Sequence, residues 1–399
     1  MGSEEIYIRK RLFKAGLQSI WFYIFRLFPI NKKKIVFTTI EGTTGFTCNP
    51  KYIALELIKR NEELPENKRY ELVWLVNDIQ KCFPKEIKKV RNSLINRAYH
   101  LTTAKIWIDN SRKQLECRKR KGQTYIQTWH AKLGFKPTCL DRGASFSRIA
   151  YLVSKHDSDM VDYWLSNSEW YDKTLKTGSL YEGKTLRTGS PRCDILVNRT
   201  EGIRDNVRER FGLCKEAKIL MYAPTFRGGS QSTNRTVETG DHFPDYHRLK
   251  EALERRFGGE WYIMLRLHPQ LVARNLDKNI EKLAILDGSR VDDMYELLAG
   301  CDAFLTDYSS AAFDAAVMEI PIFIYADDYK EYEGERGSLL WDLRDLPFPL
   351  AEDDDELERC IDSFDEEKYM MNLMEINKKC GVMEDGKAAD RVCSIIYGL

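Results

Sequence analysis

Short apolar runs, rich in β-branched and aromatic residues, alternate along the chain with longer segments of helical periodicity. In the first half the apolar runs lie at residues 34–39, 72–76, 106–108, 125–129 and 163–166. In the second half they lie at residues 219–223, 262–265, 283–286, 303–306 and 322–325. Strands that alternate with helices are typical of parallel βαβ units. The pattern therefore predicts an α/β protein with two Rossmann-like, doubly wound domains facing a cleft.

The periodic pattern breaks near residues 175–190, where Gly, Ser, Thr and Pro are concentrated. Such residues mark turns and loops, so we place a domain boundary there. We predict three segments: an N-terminal amphipathic or interfacial segment at 1–33, an N-terminal domain at 34–182 and a C-terminal domain at 183–399. The last helix of the chain is free to pack back on the N-terminal domain.

Composition limits the class of protein. The chain has 399 residues, of which 43% are hydrophobic and 31% charged, a balance typical of soluble globular proteins. Sixty-two basic residues against 61 acidic residues leave almost no net charge, so binding to nucleic acid is not indicated. The ten cysteines are scattered, without a C-x-x-C pair. We expect reduced cysteines that serve in packing, in a cytosolic protein, because the long chain has no signal peptide.

The N-terminal segment combines cations with apolar and aromatic residues. Eight Lys and Arg residues and two Glu residues lie within residues 1–34. The apolar run is too short to cross a bilayer, which takes about 20 consecutive apolar residues. Two interpretations have equal weight: an interfacial helix that lies in the membrane surface, or a first helix that packs on the core.

Two of the six histidines directly follow predicted strands. His130 ends the segment 125–130, and His268 ends the segment 261–268 with Arg266 two residues before it. Ligands of parallel sheets bind beyond the carboxyl ends of the strands. A histidine there can act as a general base or, when protonated, donate to a phosphate. A single histidine would more often be structural, but two at strand ends of different domains favour a functional role.

A strand at 303–306 runs into a helix whose start carries Ser309 and Ser310. Unpaired backbone N–H groups and hydroxyls at such a helix start can hold phosphate oxygens. Asp307 is placed to cap this helix, and Asp314, one turn beyond Ser310, can reach a ligand hydroxyl. An ordinary N-cap is the alternative interpretation.

Two further segments carry side chains suited to anions. Pro224 and Thr225, followed by Arg227, end the strand at 219–223 and could hold a nucleotide or a diphosphate. Arg192 lies in the turn 188–194, where a guanidinium can bind an anion through two hydrogen bonds; a surface pair with an Asp is the alternative. No Walker loop, G-x-G-x-x-G, H-E-x-x-H or G-x-S-x-G motif occurs, which argues against P-loop, dinucleotide-binding, zincin and α/β-hydrolase chemistry.

Taken together, five motifs in a fixed order resemble the CDP-glycerol glycerophosphotransferases. They are Thr-Trp-His at 128–130, Gly-Ser-Pro-Arg-Cys-Asp at 189–194, Tyr-Ala-Pro-Thr-Phe-Arg at 222–227, Arg-Leu-His-Pro at 266–269, and Thr-Asp-Tyr-Ser-Ser at 306–310 with Phe-Asp at 313–314. The resemblance covers about residues 34–345 and includes the segments 41–51 and 329–337. Five ordered motifs make a chance agreement improbable.

The resemblance implies a glycosyltransferase-B-like fold and a bacterial enzyme of teichoic acid and cell-wall synthesis. Such enzymes transfer glycerol phosphate from CDP-glycerol to a hydroxyl of a lipid-linked saccharide or polymer and release CMP. It implies an acceptor-side N-terminal domain and a CDP-donor-binding C-terminal domain. It also places the enzyme peripherally on the cytoplasmic face of the cell membrane. Its partners would be CDP-glycerol, the polyprenyl diphosphate-linked acceptor and, through residues 1–33, the membrane surface.

The resemblance also assigns roles to residues. His130 and His268 would be the two catalytic histidines. The donor would be bound by Ala131, Lys132, Leu133, Gly134, Arg192, Pro224, Thr225, Arg266, Leu267, Ser309, Ser310 and Asp314. No metal-ligand cluster and no required cofactor are predicted, although a magnesium ion bridging the diphosphate, with few protein ligands, stays compatible with the sequence.

The chain departs from the family after the Trp-His pair. There the family usually has Gly-Thr-Pro, whereas this chain has Ala131, Lys132 and Leu133. Loss of glycine restricts the backbone, and Lys132 adds a cation where phosphates are expected. Cys193 replaces the usual Asn in the Pro-Arg-Asn-Asp turn, which is a milder change.

Several alternatives stay open at this level. The donor could be CDP-ribitol or another CDP-polyol, and a nucleotide-sugar glycosyltransferase or a non-catalytic assembly protein of the same fold would share the pattern. Whether the enzyme primes or polymerises is undecided. On the acceptor side, the basic stretch formed by Arg112, Lys113 and residues 118–121 could meet anionic lipid or a diphosphate carrier; a solvated charged loop is the alternative.

Overall fold

The computed structural model describes residues 3–225, 243–267, 285–336 and 339–399. The chain forms two compact units. The first unit comprises residues 1–132, 138–194 and 383–399, and the second comprises residues 133–137 and 195–382. Each unit is built on its own sheet. The domain bounds given by the sequence pattern, at 33/34 and 182/183, stay predictions.

The first unit holds a seven-stranded, all-parallel sheet in the order β3-β2-β1-β4-β5-β6-β7. Its strands are β1 Asn31–Thr38, β2 Glu71–Val76, β3 Ile87–Arg91, β4 Ala104–Asp109, β5 Thr124–Gln127, β6 Tyr163–Ser166 and β7 Lys184–Arg187. Its helices are α1 Ser3–Ile24, α2 Cys48–Glu62, α3 Leu94–Thr103, α4 Arg148–Ser158 and α5 Glu169–Gly178, with short 3-10 turns at Phe25–Leu27, Ile40–Gly42, Glu66–Lys68, Cys139–Ser145 and Pro191–Cys193. A further helix, Ala388–Tyr397, comes from the end of the chain and is called α14 below.

Both faces of this sheet are covered, which explains why its central strands are almost continuously apolar. Val36, Val73 and Trp107 point to one core cluster, which also receives Phe22 of α1. The alternate residues of the same strands point to a second cluster, which also receives Val392, Cys393 and Ile396 of α14. The last helix of the chain therefore packs in the first unit.

The second unit holds a six-stranded parallel sheet in the order β10-β9-β8-β11-β12-β13. Its strands are β8 Lys218–Ala223, β9 Trp261–Leu265, β10 Ile285–Asp287, β11 Ala303–Thr306, β12 Ile322–Tyr325 and β13 Leu350–Ala351. Its helices are α6 Asp194–Val197, which begins at the passage from the first unit, α7 Glu201–Arg210, α8 Tyr246–Phe257, α9 Met294–Leu298, α10 Ala311–Ala315, α11 Tyr329–Arg336, α12 Asp354–Asp362 and α13 Glu366–Cys380, with 3-10 turns at Ala316–Met318 and Leu343–Asp345.

The strand orders confirm the predicted fold class of two Rossmann-like α/β sheets. In each sheet the chain reverses its direction of winding between two central neighbours, β1 and β4 in the first unit and β8 and β11 in the second. Loops at the carboxyl ends of such a strand pair separate and leave room for a ligand. A ligand site is therefore expected at the segments after β4, β8 and β11.

Helix α1 has one buried face and one exposed apolar face. Ile8, Ala15 and Phe22, spaced by seven residues, are buried, and Phe25, just beyond the helix, contacts Tyr99 of α3 edge to face. This confirms the interpretation of a first helix that packs on the core. The opposite face is apolar as well, with Phe13 71% exposed, so contact with a membrane surface stays a prediction. No helix within the described ranges is long and apolar enough to cross a membrane.

The basic stretch after β4 is partly exposed, with Lys121 on the surface, whereas Arg112 and Lys113 form buried ion pairs. Lys113 is buried and bonded to Asp109, and the Arg112 guanidinium is paired with Asp157. Farther along, Lys119 is bonded to Asp162 and Arg120 donates to backbone carbonyls. Both interpretations given from sequence are therefore wrong for Arg112 and Lys113, because these charges form buried pairs within the first unit.

Candidate active site

His130 is presented by a strained turn at the end of β5. The backbone of Trp129, just before it, has φ 51°, a left-handed conformation that a bulky residue rarely adopts. The turn is held by a hydrogen bond from the Trp129 N–H to the Gln127 side chain, 3.0 Å, and by one from the Thr128 N–H to the Asp109 carbonyl, 2.8 Å. The carboxyl end of β5 thereby fixes the direction of the histidine ring.

The His130 ring has one tautomer in this setting. Its Nδ1 lies 2.9 Å from the carbonyl oxygen of Asn110, the first residue after β4. Because a carbonyl can only accept, Nδ1 carries the proton and donates it, which leaves the lone pair on Nε2. Burial lowers the pKa of His130 below its usual value, and the charges of Arg192 and Arg112 lower it further against the opposing Asn110 bond. The ring is therefore neutral at neutral pH, with Nε2 able to accept a proton.

Arg112 packs against the turn that carries His130. Its guanidinium lies 5.0 Å from the ring centres of both Trp129 and Trp164. It also donates to Ser158 Oγ, 2.8 Å, and to the Asp157 carboxylate, 3.2 Å. This cation holds Trp129, and hence the histidine, through stacking and a buried ion pair. The sequence pattern did not assign this role to Arg112.

Asn49 connects the His130 turn to the turn that carries Arg192. Its Nδ2 donates to the Trp129 carbonyl, 2.7 Å, and its Oδ1 accepts from the Arg192 N–H, 3.1 Å. Asn49 lies in the first turn of α2, is almost fully buried and follows Cys48 with φ 60°. The structure thus brings His130 and Arg192 together through one amide. Within the sequence, Asn49 stood out only as part of the segment 41–51.

Lys132 and Glu384 lie on the other side of the Arg192 turn. Lys132 is buried, and its Nζ donates to the Gly189 carbonyl, 3.2 Å. Glu384 accepts from the Ser190 N–H, 2.8 Å, and from Asn167 Nδ2, 2.9 Å. The Lys132 ammonium thus donates a hydrogen bond to the backbone of this turn. Its contact with donor phosphate stays a prediction. Glu384, which sequence reasoning did not single out, positions the turn.

Gly189 is required at the centre of this arrangement. Its φ is +85°, and a Cβ there would meet Glu384 Oε2 and the Met383 carbonyl at 3.0 Å. A glycine avoids both the steric contact and the unfavourable backbone angle. The positive φ and the close contacts of Gly189 therefore explain why the Gly-Ser-Pro-Arg turn begins with glycine.

The Glu384 carboxyl should appear in the pH dependence of stability. Burial raises its pKa to about 7, against an opposing effect of Lys132, so the folded state binds this proton more tightly than the unfolded state. The stability that it contributes is present below the usual glutamate pKa and is lost as the pH rises towards 7. Between about pH 5 and 8 we expect the wild-type free energy of unfolding to fall by roughly 1–3 kcal/mol relative to Glu384→Gln.

Urea denaturation of the two proteins across this pH range provides the measurement. Glu375→Gln, at an exposed position of α13, is the matched control and should follow the wild type at every pH. Parallel curves for wild type and Glu384→Gln would show that Glu384 does not titrate with a raised pKa.

In the second unit, Asp307 ties the end of β8 to the end of β11. Its carboxylate accepts from the Thr225 N–H at 2.8 Å, from the Thr225 hydroxyl and from the Tyr308 N–H. Ser310, not Asp307, occupies the N-cap position of α10, so the predicted cap by Asp307 is wrong. Its carboxylate instead fixes the Pro224–Thr225 segment at the winding reversal of this sheet.

The hydroxyl residues predicted to hold phosphate, Ser309 and Ser310, lie next to each other at the start of the short helix α10. Ser309 Oγ accepts from the Ala311 N–H, 3.3 Å, and Asp314 is buried and accepts from the Tyr295 hydroxyl. Gly134 lies against this start, because a Cβ built on it would be 3.1 Å from the Ser310 Cβ. Trp341 Nε1 donates to the Gly134 carbonyl, 3.2 Å, and fixes the segment there.

Arg266 and Leu267 follow β9 at the same edge. The Arg266 guanidinium donates to the carbonyls of Gly288, 2.6 Å, and Val291, 2.5 Å, so it orders the loop after β10. Burial lowers its pKa from the usual arginine value. Leu267 is buried and its N–H donates to Ser289 Oγ, 2.9 Å. His268, Phe226 and Arg227 lie outside the described residues.

The predicted residues thus fall into two sets. The first unit holds His130, Ala131, Lys132 and Arg192; the second holds Leu133, Gly134, Pro224, Thr225, Arg266, Leu267, Ser309, Ser310 and Asp314. Each set gathers at the carboxyl edge of its own sheet. In the described ranges, no three His, Cys, Asp or Glu side chains come together as a metal site. The catalytic and donor-binding roles of these residues stay predictions.

Comparison with known proteins finds relatives among teichoic acid polymerases. The chain is 27% identical to the teichoic acid poly(glycerol phosphate) polymerase of Bacillus spizizenii over 99% of both chains. It is 29% identical to the teichoic acid poly(ribitol-phosphate) polymerase of the same organism, over 92% of this chain and 57% of that protein. It spans about half the length, 51% and 52%, of two further curated relatives that it matches.

Among solved structures, the wall teichoic acid polymerase TagF has the same fold. The TM-score is 0.78 at 24% identity, with 100% of this chain and 98% of that chain covered. The family described as CDP-glycerol:poly(glycerophosphate) glycerophosphotransferase matches residues 20–398, nearly the whole chain. The resemblance drawn from five motifs is confirmed, and the chain is a transferase that belongs to the CDP-glycerol:poly(glycerophosphate) glycerophosphotransferase family.

Proposed function

We propose that this protein transfers glycerol phosphate from CDP-glycerol to a hydroxyl of a lipid-linked saccharide or polymer acceptor and releases CMP. The acceptor is carried on a polyprenyl diphosphate, and the product belongs to teichoic acid or a related cell-surface polymer. The family membership supports the reaction class. The single observation that carries the mechanism is the His130 ring, protonated on Nδ1 by its bond to the Asn110 carbonyl and bearing its lone pair on Nε2.

The reaction is an in-line displacement at the phosphorus that carries glycerol. His130 Nε2 takes the proton of the acceptor hydroxyl as that oxygen forms its bond to phosphorus. The bond from this phosphorus to the bridging oxygen breaks, and CMP leaves with the electron pair. A neutral histidine is suited to this role, because only the unprotonated ring can accept the proton.

Donor phosphates would be held by cations and by backbone donors. Arg192 and His268 neutralise charge on the transferred and leaving phosphates, while Ser309 and Ser310 offer hydroxyl and N–H donors. Thr225 and Gly134 border the same region of the second unit. Arg266 orders the loop after β10 and supports its neighbours. A magnesium ion on the diphosphate would take most of its ligands from phosphate and water.

We place the enzyme peripherally on the cytoplasmic face of the cell membrane, held there by α1. Support comes from the exposed apolar side of this helix, where Phe13, Leu17 and Ile20 are 71%, 53% and 49% exposed. Cations of the same helix flank these side chains. Apolar and aromatic residues beside cations suit the interface of an anionic bilayer.

The experiment that tests the reaction is CMP release by the purified protein with a lipid-linked disaccharide. CDP-glycerol, CDP-ribitol and common nucleotide sugars are compared at equal concentration. CMP release that needs both CDP-glycerol and the acceptor supports the proposal. Turnover of a nucleotide sugar, with CDP-glycerol inert, would contradict it and identify a glycosyltransferase of the same fold.

A CDP-ribitol phosphotransferase is the second candidate. It is favoured by the 29% identity to a poly(ribitol-phosphate) polymerase. The residues named above would contact the phosphates and the nucleotide, which are the same in CDP-glycerol and CDP-ribitol. The ratio of kcat/KM for CDP-glycerol and CDP-ribitol in the same assay separates the two candidates.

Gly134→Ala is expected to weaken donor binding. The new methyl group would lie 3.1 Å from the Ser310 Cβ and push apart two segments that border the donor phosphates. A displacement that costs about 1 kcal/mol raises KM for the donor by roughly 5-fold. Steady-state kinetics check this, with Gly202→Ala as the matched control, because its new Cβ meets nothing nearer than 3.7 Å. An unchanged donor KM would show that Gly134 does not border the donor.

A further inference from the structure

The turn after β1 is held in a strained conformation. Ile40 and Glu41 have φ angles of 43° and 56°, and Gly42 follows with φ 85°. Residues with a side chain rarely adopt this left-handed region, because the Cβ approaches the following carbonyl oxygen. Strained residues persist only where surrounding contacts fix them, and they are concentrated at functional sites. This turn lies at the carboxyl end of a strand where the winding of the first sheet reverses.

A chain of two hydrogen bonds joins this turn to His130. The Ile40 N–H donates to Asn110 Oδ1, 2.8 Å. The backbone carbonyl of the same Asn110 accepts from His130 Nδ1, 2.9 Å. Asn110 is fully buried, so its side chain and its carbonyl both serve to connect the ends of β1 and β5. The residue that fixes the histidine tautomer therefore also fixes the start of the strained turn.

A second chain of hydrogen bonds lies beside the first. The Glu41 N–H donates to Ser111 Oγ, 3.0 Å, and the Ser111 carbonyl accepts from Gln127 Nε2, 2.9 Å. Gln127 Oε1 then accepts from the Trp129 N–H, 3.0 Å. The Ser111 hydroxyl donates its own proton to Asp109 Oδ1, 3.0 Å, which leaves its oxygen free to accept from Glu41. Glu41 and the residue before His130 are thus held in a fixed register.

The remaining backbone groups of the turn are also fixed. Asn92 Nδ2 donates to the Glu41 carbonyl, 2.9 Å, and the Asn77 N–H donates to the Gly42 carbonyl, 2.8 Å. A Cβ on Gly42 would meet Asn92 Nδ2 at 2.5 Å, so only glycine fits there. Both backbone groups of Glu41 are used within the first unit, whereas the residue as a whole is exposed. The exposed part of Glu41 is therefore its side chain.

Position and chemistry together indicate a ligand with hydroxyl groups. Neighbouring strands lie about 4.8 Å apart, so β1 and β5, on either side of β4, are about 10 Å apart. A glutamate and a histidine at such strand ends leave room for one sugar or glycerol unit between them. A carboxylate accepts hydrogen bonds from hydroxyl groups, and these bonds are about twice as strong as neutral ones. The same negative charge repels a phosphate, which argues against the donor diphosphate as the ligand.

We propose that Glu41 is a substrate-binding residue whose carboxylate accepts hydrogen bonds from acceptor hydroxyls adjacent to the one that reacts. These bonds hold the attacking hydroxyl at His130 Nε2. The assignment rests on the proposed function. The strained turn fixes the backbone that carries the carboxylate, and the two hydrogen-bond chains keep it in register with the histidine.

The test measures acceptor binding by the full chain in the absence of donor, by calorimetry. One probe is the lipid-linked disaccharide with a short lipid chain, and the other is its deoxy analogue without the hydroxyls adjacent to the reactive one. The variant is Glu41→Gln, which keeps the shape of the side chain and every backbone bond of the turn. The matched control is Glu63→Gln, at an exposed position directly after α2 in the same unit.

We expect Glu41→Gln to bind the disaccharide roughly 10-fold more weakly, because a bond to a charged acceptor becomes a bond to a neutral one. In the CMP assay the KM for the acceptor should rise by a similar factor, whereas the KM for CDP-glycerol should stay unchanged. The deoxy analogue should bind the wild type more weakly, with little further loss in Glu41→Gln. Glu63→Gln should behave like the wild type with both probes.

Equal binding of the disaccharide by Glu41→Gln and Glu63→Gln would overturn the proposal. Equal losses for the disaccharide and its deoxy analogue would also overturn it, since they would show a structural effect of the substitution. Turnover of CDP-glycerol by the wild type is measured separately. If turnover is absent while Glu41→Gln still weakens acceptor binding selectively, the proposed function fails and the role of Glu41 stands. If turnover is present and acceptor binding is unchanged, only the role of Glu41 fails.

Discussion

Replacing His130 by alanine is expected to lower kcat for CMP release by roughly 10²- to 10⁴-fold, the usual contribution of a general base. The KM for CDP-glycerol should change little, because the ring acts on the acceptor hydroxyl. Steady-state kinetics at saturating acceptor, together with donor binding by calorimetry, separate the two effects. Since burial lowers the His130 pKa, the acidic limb of the pH–rate profile should lie below the ordinary histidine range.

His247→Ala is the matched control, because His247 is exposed on α8 and should leave turnover unchanged. Wild-type turnover by His130→Ala would remove this residue from the mechanism. Loss of donor binding together with turnover would instead indicate that His130 orders the donor.

Arg112→Met is expected to lower the free energy of unfolding by about 3–5 kcal/mol, the usual result when one partner of a buried ion pair is removed. The Asp157 side chain is fully buried and would lose its cationic partner. The variant also removes the cation between Trp129 and Trp164, so turnover should fall as the His130 turn loosens. Urea denaturation measures the first effect and the CMP assay measures the second.

The double variant Arg112→Met/Asp157→Asn distinguishes a lost ion pair from lost packing. Removing both charges should restore most of the stability, because no unpaired buried charge is left. If the free energy of unfolding of Arg112→Met is within about 1 kcal/mol of the wild-type value, the ion pair does not stabilise the fold as predicted.

The sequence predicted the sheets well because buried parallel strands are almost continuously apolar. Each of the ten apolar runs overlaps an observed strand, although residues 283–284 lie outside the described part. The missed strands β3 and β7 are short edge strands with exposed Lys and Arg side chains, and β13 has two residues. Edge strands need fewer apolar residues, so their pattern does not differ from that of a loop.

Residues at strand ends could be predicted, whereas their supports could not. His130 and Thr225 stood out because they follow strands. Asn49 and Glu384 act through contacts with residues 143 and 194 positions away in the sequence, and no local pattern reports such contacts. Arg112 was misinterpreted for the same reason. Its burial depends on the ion pair with Asp157, and the sequence does not show which acidic residue is the partner.

The product of the reaction tests the central claim most directly. Purified protein is incubated with CDP-glycerol and a lipid-linked disaccharide, and the acceptor is analysed by mass spectrometry. We predict an increase by one or more glycerol phosphate units, with one CMP released for each unit. An unchanged acceptor beside CDP-glycerol, or an acceptor that gains a sugar from a nucleotide sugar, would contradict the assignment.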